Sequence, residues 1–179
     1  TSGTTGTLKA AQHTQASYAG VCRNVLLSLM PISPDDAMLH AASLIHASGV
    51  FVLPFWLRGA RTVILPTFEP SAFLRALAQE DITTINLVPT MLQMLLAHPD
   101  FASTAVPRLK AVIYGASPMP EGVLRKAMEL MPHVRLMHGY GMTEASPIVT
   151  LLDPRYTTLE GPYAGRLRSC GQAVLAVEV

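Results

Sequence analysis

Apolar positions along the chain recur with two spacings, and each spacing predicts a different kind of element. Short runs of β-branched or apolar residues are typical of buried strands, whereas the spacing i, i+3, i+4, i+7 is typical of helices that bury one face. The runs predict strands at 37–42, 62–65, 83–88, 109–114 and 134–137. The helical spacing predicts helices between them at 70–79, 89–97 and 121–131.

Two more helical segments are predicted nearer the start of the chain. One follows the first loop, where His13 and Thr14 are candidate capping residues ahead of a helical apolar face. The second is a very apolar stretch that begins after Ser43 and ends near Arg58 and Gly59. The apolar face of the first helix consists of Tyr18, Val21, Cys22, Val25, Leu26 and Leu29.

Strands that alternate with helices of about ten residues indicate an α/β fold: a mostly parallel β-sheet with helices on both faces, built from βαβ units. Ligands bind to open sheets of this kind at the carboxyl ends of the strands. We therefore expect the functional residues in the loops that leave predicted strands, at 43–49, 88–90, 115–118 and 138–144.

The composition indicates an incomplete structure. Hydrophobic residues make up 50% of the 179 residues and charged residues only 14%, against about 25% charged in typical soluble proteins. So little polar surface favours a subdomain that packs against further chain. We also expect missing segments at both ends, because the sequence starts inside a candidate ligand loop without an initiator Met.

Charge and cysteine content narrow the class of partner. The net charge is +1 and Lys/Arg clusters are absent, so neither nucleic acid nor an anionic membrane is expected as a partner. The most apolar run, 49–57, contains Pro54 and is too short for a transmembrane segment. Cys22 and Cys170 lack metal-ligand spacing, which favours reduced thiols in a cytoplasmic protein, although a single disulfide remains open.

The first ten residues, TSGTTGTLKA, have the composition of an anion-binding loop. Gly3 and Gly6 let the backbone approach a ligand, hydroxyl groups and amides donate to phosphate oxygens, and Lys9 adds positive charge. The glycine spacing fits neither a Walker loop nor the dinucleotide fingerprint. Taken alone, the loop could equally be a flexible linker.

The heptad HGYGMTE at 138–144 is the second candidate ligand loop. Its two glycines let the backbone lie against a flat ligand, and Tyr140 supplies a stacking face. Thr143 can bind phosphate, and Glu144 offers the oxygen ligand that Mg²⁺ prefers. His46, in SLIHASG, stands at the start of the second apolar helical stretch, but a histidine beside apolar residues is more often structural.

Together these motifs resemble the adenylate-forming (AMP-binding) superfamily of acyl-CoA synthetases, nonribosomal peptide synthetase adenylation domains and beetle luciferases. TSGTTGTLKA is similar to its phosphate loop and YGMTE to its nucleotide and magnesium motif, with SLIHASG, LVPTML and GASPMP between them in order. The resemblance covers nearly the whole chain. It implies that 1–179 is part of the large N-terminal AMP-binding domain, with the C-terminal domain absent, and that GQAVLAVEV holds the strand after YGMTE.

The resemblance also implies roles for individual residues. Glu144 would bind Mg²⁺, Thr143 the α-phosphate, and His46 would lie at the acyl pocket; with Lys9 these are the candidate catalytic residues. The ATP phosphates would be bound by Thr1, Ser2, Gly3, Thr4, Thr5, Gly6 and Lys9. The adenine would contact Gly115, Ala116 and Ser117, and the nucleotide would lie on His138, Gly139, Tyr140, Gly141, Met142 and Thr143.

The implied activity is ATP-dependent activation of a carboxylic acid, fatty or aromatic, to an acyl-adenylate, followed by transfer to coenzyme A. Leu8 and Ala10 depart from the family's Pro-Lys-Gly pattern, and the ribose-binding aspartate and the C-terminal catalytic lysine have no counterpart here. The isolated chain is therefore expected to be inactive and to self-associate through its open sheet. An adenylation domain, an inactive nucleotide-binding module and a luciferase-like oxidase remain alternatives.

Overall fold

The computed structural model describes residues 6, 10–104 and 106–179, and they form an α/β fold around one seven-stranded sheet. The strand order is β2-β1-β3-β4-β5-β6-β7. The first five strands are parallel, and the last two are antiparallel to their neighbours. The strands are β1 (Ala37–His40), β2 (Arg61–Ile64), β3 (Thr84–Leu87), β4 (Ala111–Gly115), β5 (Arg135–Tyr140), β6 (Thr150–Leu152) and β7 (Gln172–Ala173).

The α-helices begin close to where the sequence pattern predicts them. They are α1 (Gln15–Ser28), α2 (Val52–Leu57), α3 (Pro70–Gln79), α4 (Pro89–Ala97) and α5 (Glu121–Leu130). Thr14 caps α1 through a capping box in which its side chain and that of Ser17 each accept a hydrogen bond from the other's backbone N–H. Pro70 and Pro89 open α3 and α4 at the first turn, where proline removes no helical hydrogen bond.

The sheet has helices on both faces, as predicted, and the strand order explains which helix covers which face. The step from β1 to β2 runs in one direction along the sheet, and the steps from β2 to β5 run in the other. Because βαβ crossovers are right-handed, the two directions send their helices to opposite faces. The helix face, as we call it, carries α3, α4 and α5; the cavity face carries α1 and α2.

Each face has its own apolar cluster, and the side chains of one strand alternate between them. In β4, Val112 and Tyr114 join the cluster of the helix face, whereas Ala111 and Ile113 join that of the cavity face. All four are buried. This alternation determines which side chains of the central strands can reach a ligand on the cavity face.

At the amino end of the central sheet, the buried carboxylate of Asp36 pairs with the half-exposed side chain of Lys110. The Asp36 carboxylate, almost fully buried, accepts hydrogen bonds from Lys110 Nζ at 2.7 Å and from Ser33 N at 2.8 Å. Burial alone would raise the pKa of Asp36, but bonds from Lys110, Ser33 and Thr83 outweigh it and lower the pKa below its usual value. The open end of the sheet is therefore the opposite, carboxyl edge.

Two predicted segments differ from the structure. The strand predicted at 134–137 continues to Tyr140, because β6 pairs with its last three residues, so His138, Gly139 and Tyr140 lie in a strand and not in a loop. Two strands follow it: β6, which was not predicted, and β7, which lies within GQAVLAVEV, where the resemblance implies a strand. The apolar helical stretch after Ser43 divides into turns, a 3-10 helix (Ala47–Phe51) and α2.

Candidate active site

A cavity of about 500 Å³ opens on the cavity face at the carboxyl ends of β3, β4 and β5. This is the edge where the sequence predicts the functional loops. The wall is largely apolar. It is formed by His13, Tyr18, Val21, Leu44, Ile45, His46, Ala47, Gly49, Val50, Phe51, Asn86, Leu87, Val88, Ile113, Tyr114, Gly115, Ala116, Gly139, Gly141, Met142, Thr143, Pro147, Ile148 and Leu151.

The outer wall of the cavity is held together by a contact between α1 and the turn before α2. Tyr18, on α1, donates a hydrogen bond from its hydroxyl group to Gly49 O at 3.4 Å. A Cβ at Gly49 would overlap the carbonyl oxygen of Leu44. Glycine is therefore required there for the turn that carries His46 to fold back over the sheet.

Glycines also let the strand ends approach one another at the floor of the cavity. Gly115 and Gly139 are paired across β4 and β5. A Cβ at Gly115 would overlap the carbonyl oxygen of Gly139, and one at Gly141 would overlap that of Pro147. At Gly139 itself a Cβ would meet only Leu151 Cδ2 at 3.6 Å, an ordinary contact. Glycine is therefore required at Gly115 and Gly141 for the backbone segments to pack this closely.

The predicted adenine segment is only partly at the cavity. Gly115 and Ala116 line it, whereas Ser117 is exposed and lies outside its wall. Ala116 has φ +69°, a left-handed conformation that an L-residue with a Cβ adopts at a cost of roughly 1–2 kcal/mol. Strain of this kind is concentrated at ligand-binding turns.

The residues of HGYGMTE divide among three places. Gly139, Gly141, Met142 and Thr143 line the cavity. Tyr140 is 40% exposed and lines neither this cavity nor the smaller one beside it, described below.

His138 points to the helix face instead of the cavity. Its ring stacks on Tyr114 with centroids 5.0 Å apart, and its Nδ1 lies 3.1 Å from Ser169 O. Burial raises the pKa of Tyr114 to about 12, so its hydroxyl remains protonated. Since Tyr114 lines the cavity, the stacked ring of His138 packs against the cavity wall from the helix face.

Glu144 lies in a second cavity of about 340 Å³ beside the first. His13 lines both cavities, and Thr143 of the first is followed directly by Glu144 of the second. The two cavities therefore meet at these residues. His13 was predicted only as a capping residue, so its position between the cavities was missed. The second cavity is lined by Ala11, Gln12, His13, Thr14, Ser17, Glu144 and Ser146.

The second cavity contains one carboxylate, that of Glu144, which is exposed. It also contains the side chains of Thr14 and Ser17, which form the capping box of α1. The residues at 10–104 and 106–179 contain no group of three or more His, Cys, Asp or Glu side chains that could together hold a metal ion. Magnesium usually takes one or two carboxylates and completes its shell with water and phosphate oxygens, which fits this arrangement.

Two histidines near the cavity differ in burial. His46 lines the cavity, is exposed and precedes the 3-10 helix. His40 is fully buried at the end of β1, with Nδ1 2.9 Å from Ser48 Oγ. The sequence pattern did not indicate this residue. Burial lowers the pKa of His40 to about 4, so its ring is neutral at physiological pH.

A serine, a histidine and an aspartate also meet on the helix face, but not as a nucleophilic triad. The His98 Nε2 atom lies 3.0 Å from Ser71 Oγ, and His98 Nδ1 accepts a hydrogen bond from Asp100 N at 3.2 Å. The accepting Nδ1 places the proton on Nε2, which therefore donates to Ser71 and cannot act as its base. This cluster caps the chain after α4.

The phosphate-loop predictions lie mostly outside the described residues. Thr1, Ser2, Gly3, Thr4, Thr5 and Lys9 fall there. Gly6 is described; it is exposed, with φ +145°.

Two further findings bear on the setting of the chain. Cys22 is buried and Cys170 is exposed, and both are free thiols. Among the helices of the described ranges, none has the length and apolar character needed to cross a membrane.

Comparison with known proteins identifies the family. Residues 1–179 match the family described as "AMP-binding enzyme". A feruloyl-CoA synthase from Amycolatopsis sp. is 36% identical over 155 residues, covering 86% of this chain and 31% of that protein. An indoleacetate–CoA ligase from Aromatoleum aromaticum is 33% identical over 168 residues, covering 93% of this chain and 32% of that protein.

Solved structures share the fold. O-succinylbenzoate coenzyme A synthetase from Bacillus subtilis, in complex with ATP and magnesium, superposes with a TM-score of 0.82 and 25% identity. The match covers 98% of this chain and 35% of that one. The chain spans about a third of the length of these relatives. With its whole length matched, the chain belongs to the family of AMP-binding enzymes.

Proposed function

We propose that the protein containing this chain is an AMP-forming acid–thiol ligase, which activates a carboxylic acid with ATP and transfers the acyl group to coenzyme A. The observation that carries the proposal is the junction of the two cavities. A largely apolar cavity suited to the body of an acid meets, at Thr143 and His13, a polar cavity that contains Glu144.

The chemistry explains why these groups adjoin. The acid carboxylate and the α-phosphate of ATP are both negatively charged, so the site must align them and offset their charge. In this proposal Thr143 donates to the α-phosphate, Glu144 holds Mg²⁺, and Thr1–Thr5, Gly6 and Lys9 bind the remaining phosphates. Magnesium would supply positive charge for the departing pyrophosphate.

The nucleotide would lie along the carboxyl edge of β4 and β5. Gly115, Gly139 and Gly141, which line the cavity and carry no side chain, would let the adenine and ribose lie against the backbone. Ala116 and Met142 would complete that surface. Ser117, His138 and Tyr140 stay predictions as nucleotide contacts, and for His138 the stack on Tyr114 favours a supporting role.

The acid would share the larger cavity with the nucleotide and lie on the side formed by α1 and the 3-10 helix, with its carboxylate near His46. Tyr18, Val50, Phe51 and Ile148 offer an apolar surface suited to an aromatic or fatty acid. Two relatives named for aromatic acids, the feruloyl-CoA synthase and the indoleacetate–CoA ligase, favour the aromatic class.

An amino-acid adenylation domain is the second candidate, and the cavity argues against it. Such a site needs an anion to pair with the substrate ammonium group. Among the residues that line the larger cavity in the described part of the chain, none is Asp or Glu. A carboxylic acid without an amino group suits this cavity better.

The isolated chain should behave differently from the whole protein. Because it spans about a third of the relatives, we propose that it is part of the N-terminal domain and is inactive alone. We expect it to self-associate, since Trp56, Leu57 and Ile64 are each at least half exposed beside the edge strand β2. A cytoplasmic location stays a prediction, based on the two free thiols.

ATP–pyrophosphate exchange tests the proposal. The whole protein, assayed with a panel of carboxylic acids, should exchange pyrophosphate only when a suitable acid is present. Glu144→Gln should lower kcat at least about a hundredfold, because the metal-binding charge acts on the transition state. Glu129→Gln, an exposed site on α5, is the matched control and should leave exchange unchanged.

Two results would contradict the proposal: no acid supports exchange, or the Glu144 and Glu129 variants behave alike. The chain 1–179 alone serves as a further arm and should give no exchange. Thioester formation from coenzyme A after the exchange step would identify the acceptor.

A further inference from the structure

Asn86 is a polar side chain in the sheet wall of the larger cavity. It is the third residue of β3 (Thr84–Leu87) and is half-buried. Its neighbours in the wall include Val21, Val50 and Ile113, which are buried and apolar. A polar group placed in such a wall is unfavourable unless a hydrogen-bonding partner is present.

The orientation of the Asn86 amide follows from its one hydrogen bond. The amide nitrogen Nδ2 donates to Ile113 O at 3.2 Å on the adjacent strand. Since a carbonyl oxygen can only accept, the nitrogen must be the atom that faces it. The oxygen Oδ1 is then the end left for other contacts, and no residue in the described part of the chain donates to it.

The wall behind Asn86 is polar as well. Met38 and Leu39 on β1 pair with Thr84 and Ile85 on β3, so the same register places His40 beside Asn86. The buried atoms His40 Nε2 and Thr84 Oγ1 have no hydrogen-bond partner among the described residues. Asn86 is the member of this polar group that lines the cavity.

We infer that Asn86 recognises a hydrogen-bond donor on the body of the substrate, so that the enzyme prefers an acid bearing a hydroxyl group, such as a phenol, over its unsubstituted analogue. The hydroxyl group would donate to Oδ1. A hydrophobic acid without it would leave Oδ1 buried and unpaired, which penalises that acid. The inference rests on the proposed function, because it assigns the larger cavity to the acid.

Matched pairs of acids test the inference in the whole protein. The pairs are para-hydroxycinnamate with cinnamate and ω-hydroxydecanoate with decanoate, and the measurement is kcat/KM for ATP–pyrophosphate exchange. The wild type should prefer the hydroxylated member of at least one pair by about tenfold. Asn86→Leu should reduce that preference to about one, mainly by improving KM for the unsubstituted acid.

Ile148→Val is the matched control, since it alters the same cavity by one methylene without changing a hydrogen bond. It should change kcat/KM for both acids alike and leave their ratio intact. If Asn86→Leu does not fold, Asn86→Val, better suited to a strand, takes its place.

The possible failures are distinguishable. Exchange without discrimination in the wild type, or a preference that persists without Asn86, overturns this inference and leaves the proposed function standing. If none of the acids supports exchange, both the inference and the proposed function are overturned.

Discussion

The two faces of the sheet differ in how they are built. On the helix face, α3, α4 and α5 pack a continuous apolar cluster that includes Phe73, Leu92 and Leu124, each nearly or fully buried. The cavity face has a smaller cluster and a cavity of about 500 Å³. Its turn regions also contain glycines that exclude any side chain.

The two faces of one sheet therefore have different roles: the helix face mainly stabilises the fold, and the cavity face is suited to ligand binding. Close packing of apolar side chains stabilises the helix face. The cavity face leaves buried polar atoms on His40 and Thr84 without described partners and leaves a volume unfilled, both of which cost stability. Local departures from optimal packing are expected where a protein binds ligands.

The largest effect expected on the cavity face comes from adding a methyl group at Gly115. Gly115→Ala should lower the free energy of unfolding by about 4 kcal/mol, because its Cβ would overlap the Gly139 carbonyl oxygen and the backbone must shift. Gly139→Ala, its partner across the strands, should cost less than about 1 kcal/mol. Urea unfolding of the whole protein measures both, and equal costs would show that the strands can separate freely.

The helix face was also the part that the sequence pattern predicted best. The bounds of α3 and α4 are as predicted, because proline fixes each start and an apolar periodicity runs the full length. β6, by contrast, has three residues, all buried, and so shows no alternation that could reveal a strand. Its existence depends on pairing with β5, a tertiary interaction that the local sequence does not encode.

The candidate site was predictable in outline only. The motifs pointed to Gly115, Gly141, Thr143 and Glu144, which line the two cavities. Glycines and side chains with oxygen ligands at strand ends are typical of such sites. The motifs could not separate Tyr140 from Gly139, because which strand residue faces the cavity depends on register. Asn86 was missed for the same reason: one polar residue in an apolar strand gives no signal until the cavity beside it is known.

An intermediate effect is expected from acidification, through His40. Its pKa in the folded protein is about 4, below the value of about 6.5 in an unfolded chain. The unfolded state therefore binds the proton first, so stability is complete above about pH 6.5 and falls as the pH drops toward 4. Between about pH 6.5 and 5 the loss from His40 should reach about 2 kcal/mol.

Urea unfolding at both pH values, with two matched variants, isolates that contribution. His40→Gln removes the titrating ring and should flatten the dependence on pH in this window. His133→Gln removes an exposed histidine and should leave the slope as in the wild type. The assignment to His40 is wrong if the His133 variant flattens the curve and the His40 variant does not.

The smallest effect is expected at Ala116, where the strain of the cavity face is local. Its φ of +69° favours glycine, so Ala116→Gly should relieve roughly 1–2 kcal/mol of strain. The added freedom of the unfolded chain opposes this gain by up to about 1 kcal/mol, which leaves a net stabilisation of about 0.5 kcal/mol. Ser117→Gly is the control: Ser117 is not among the described residues with positive φ, so only the unfavourable entropy term applies and the variant should be less stable. Opposite signs for these neighbouring substitutions, measured by urea unfolding, would confirm that the turn is held in a strained conformation by its surroundings, whereas equal signs would show that Ala116 adopts this backbone without strain.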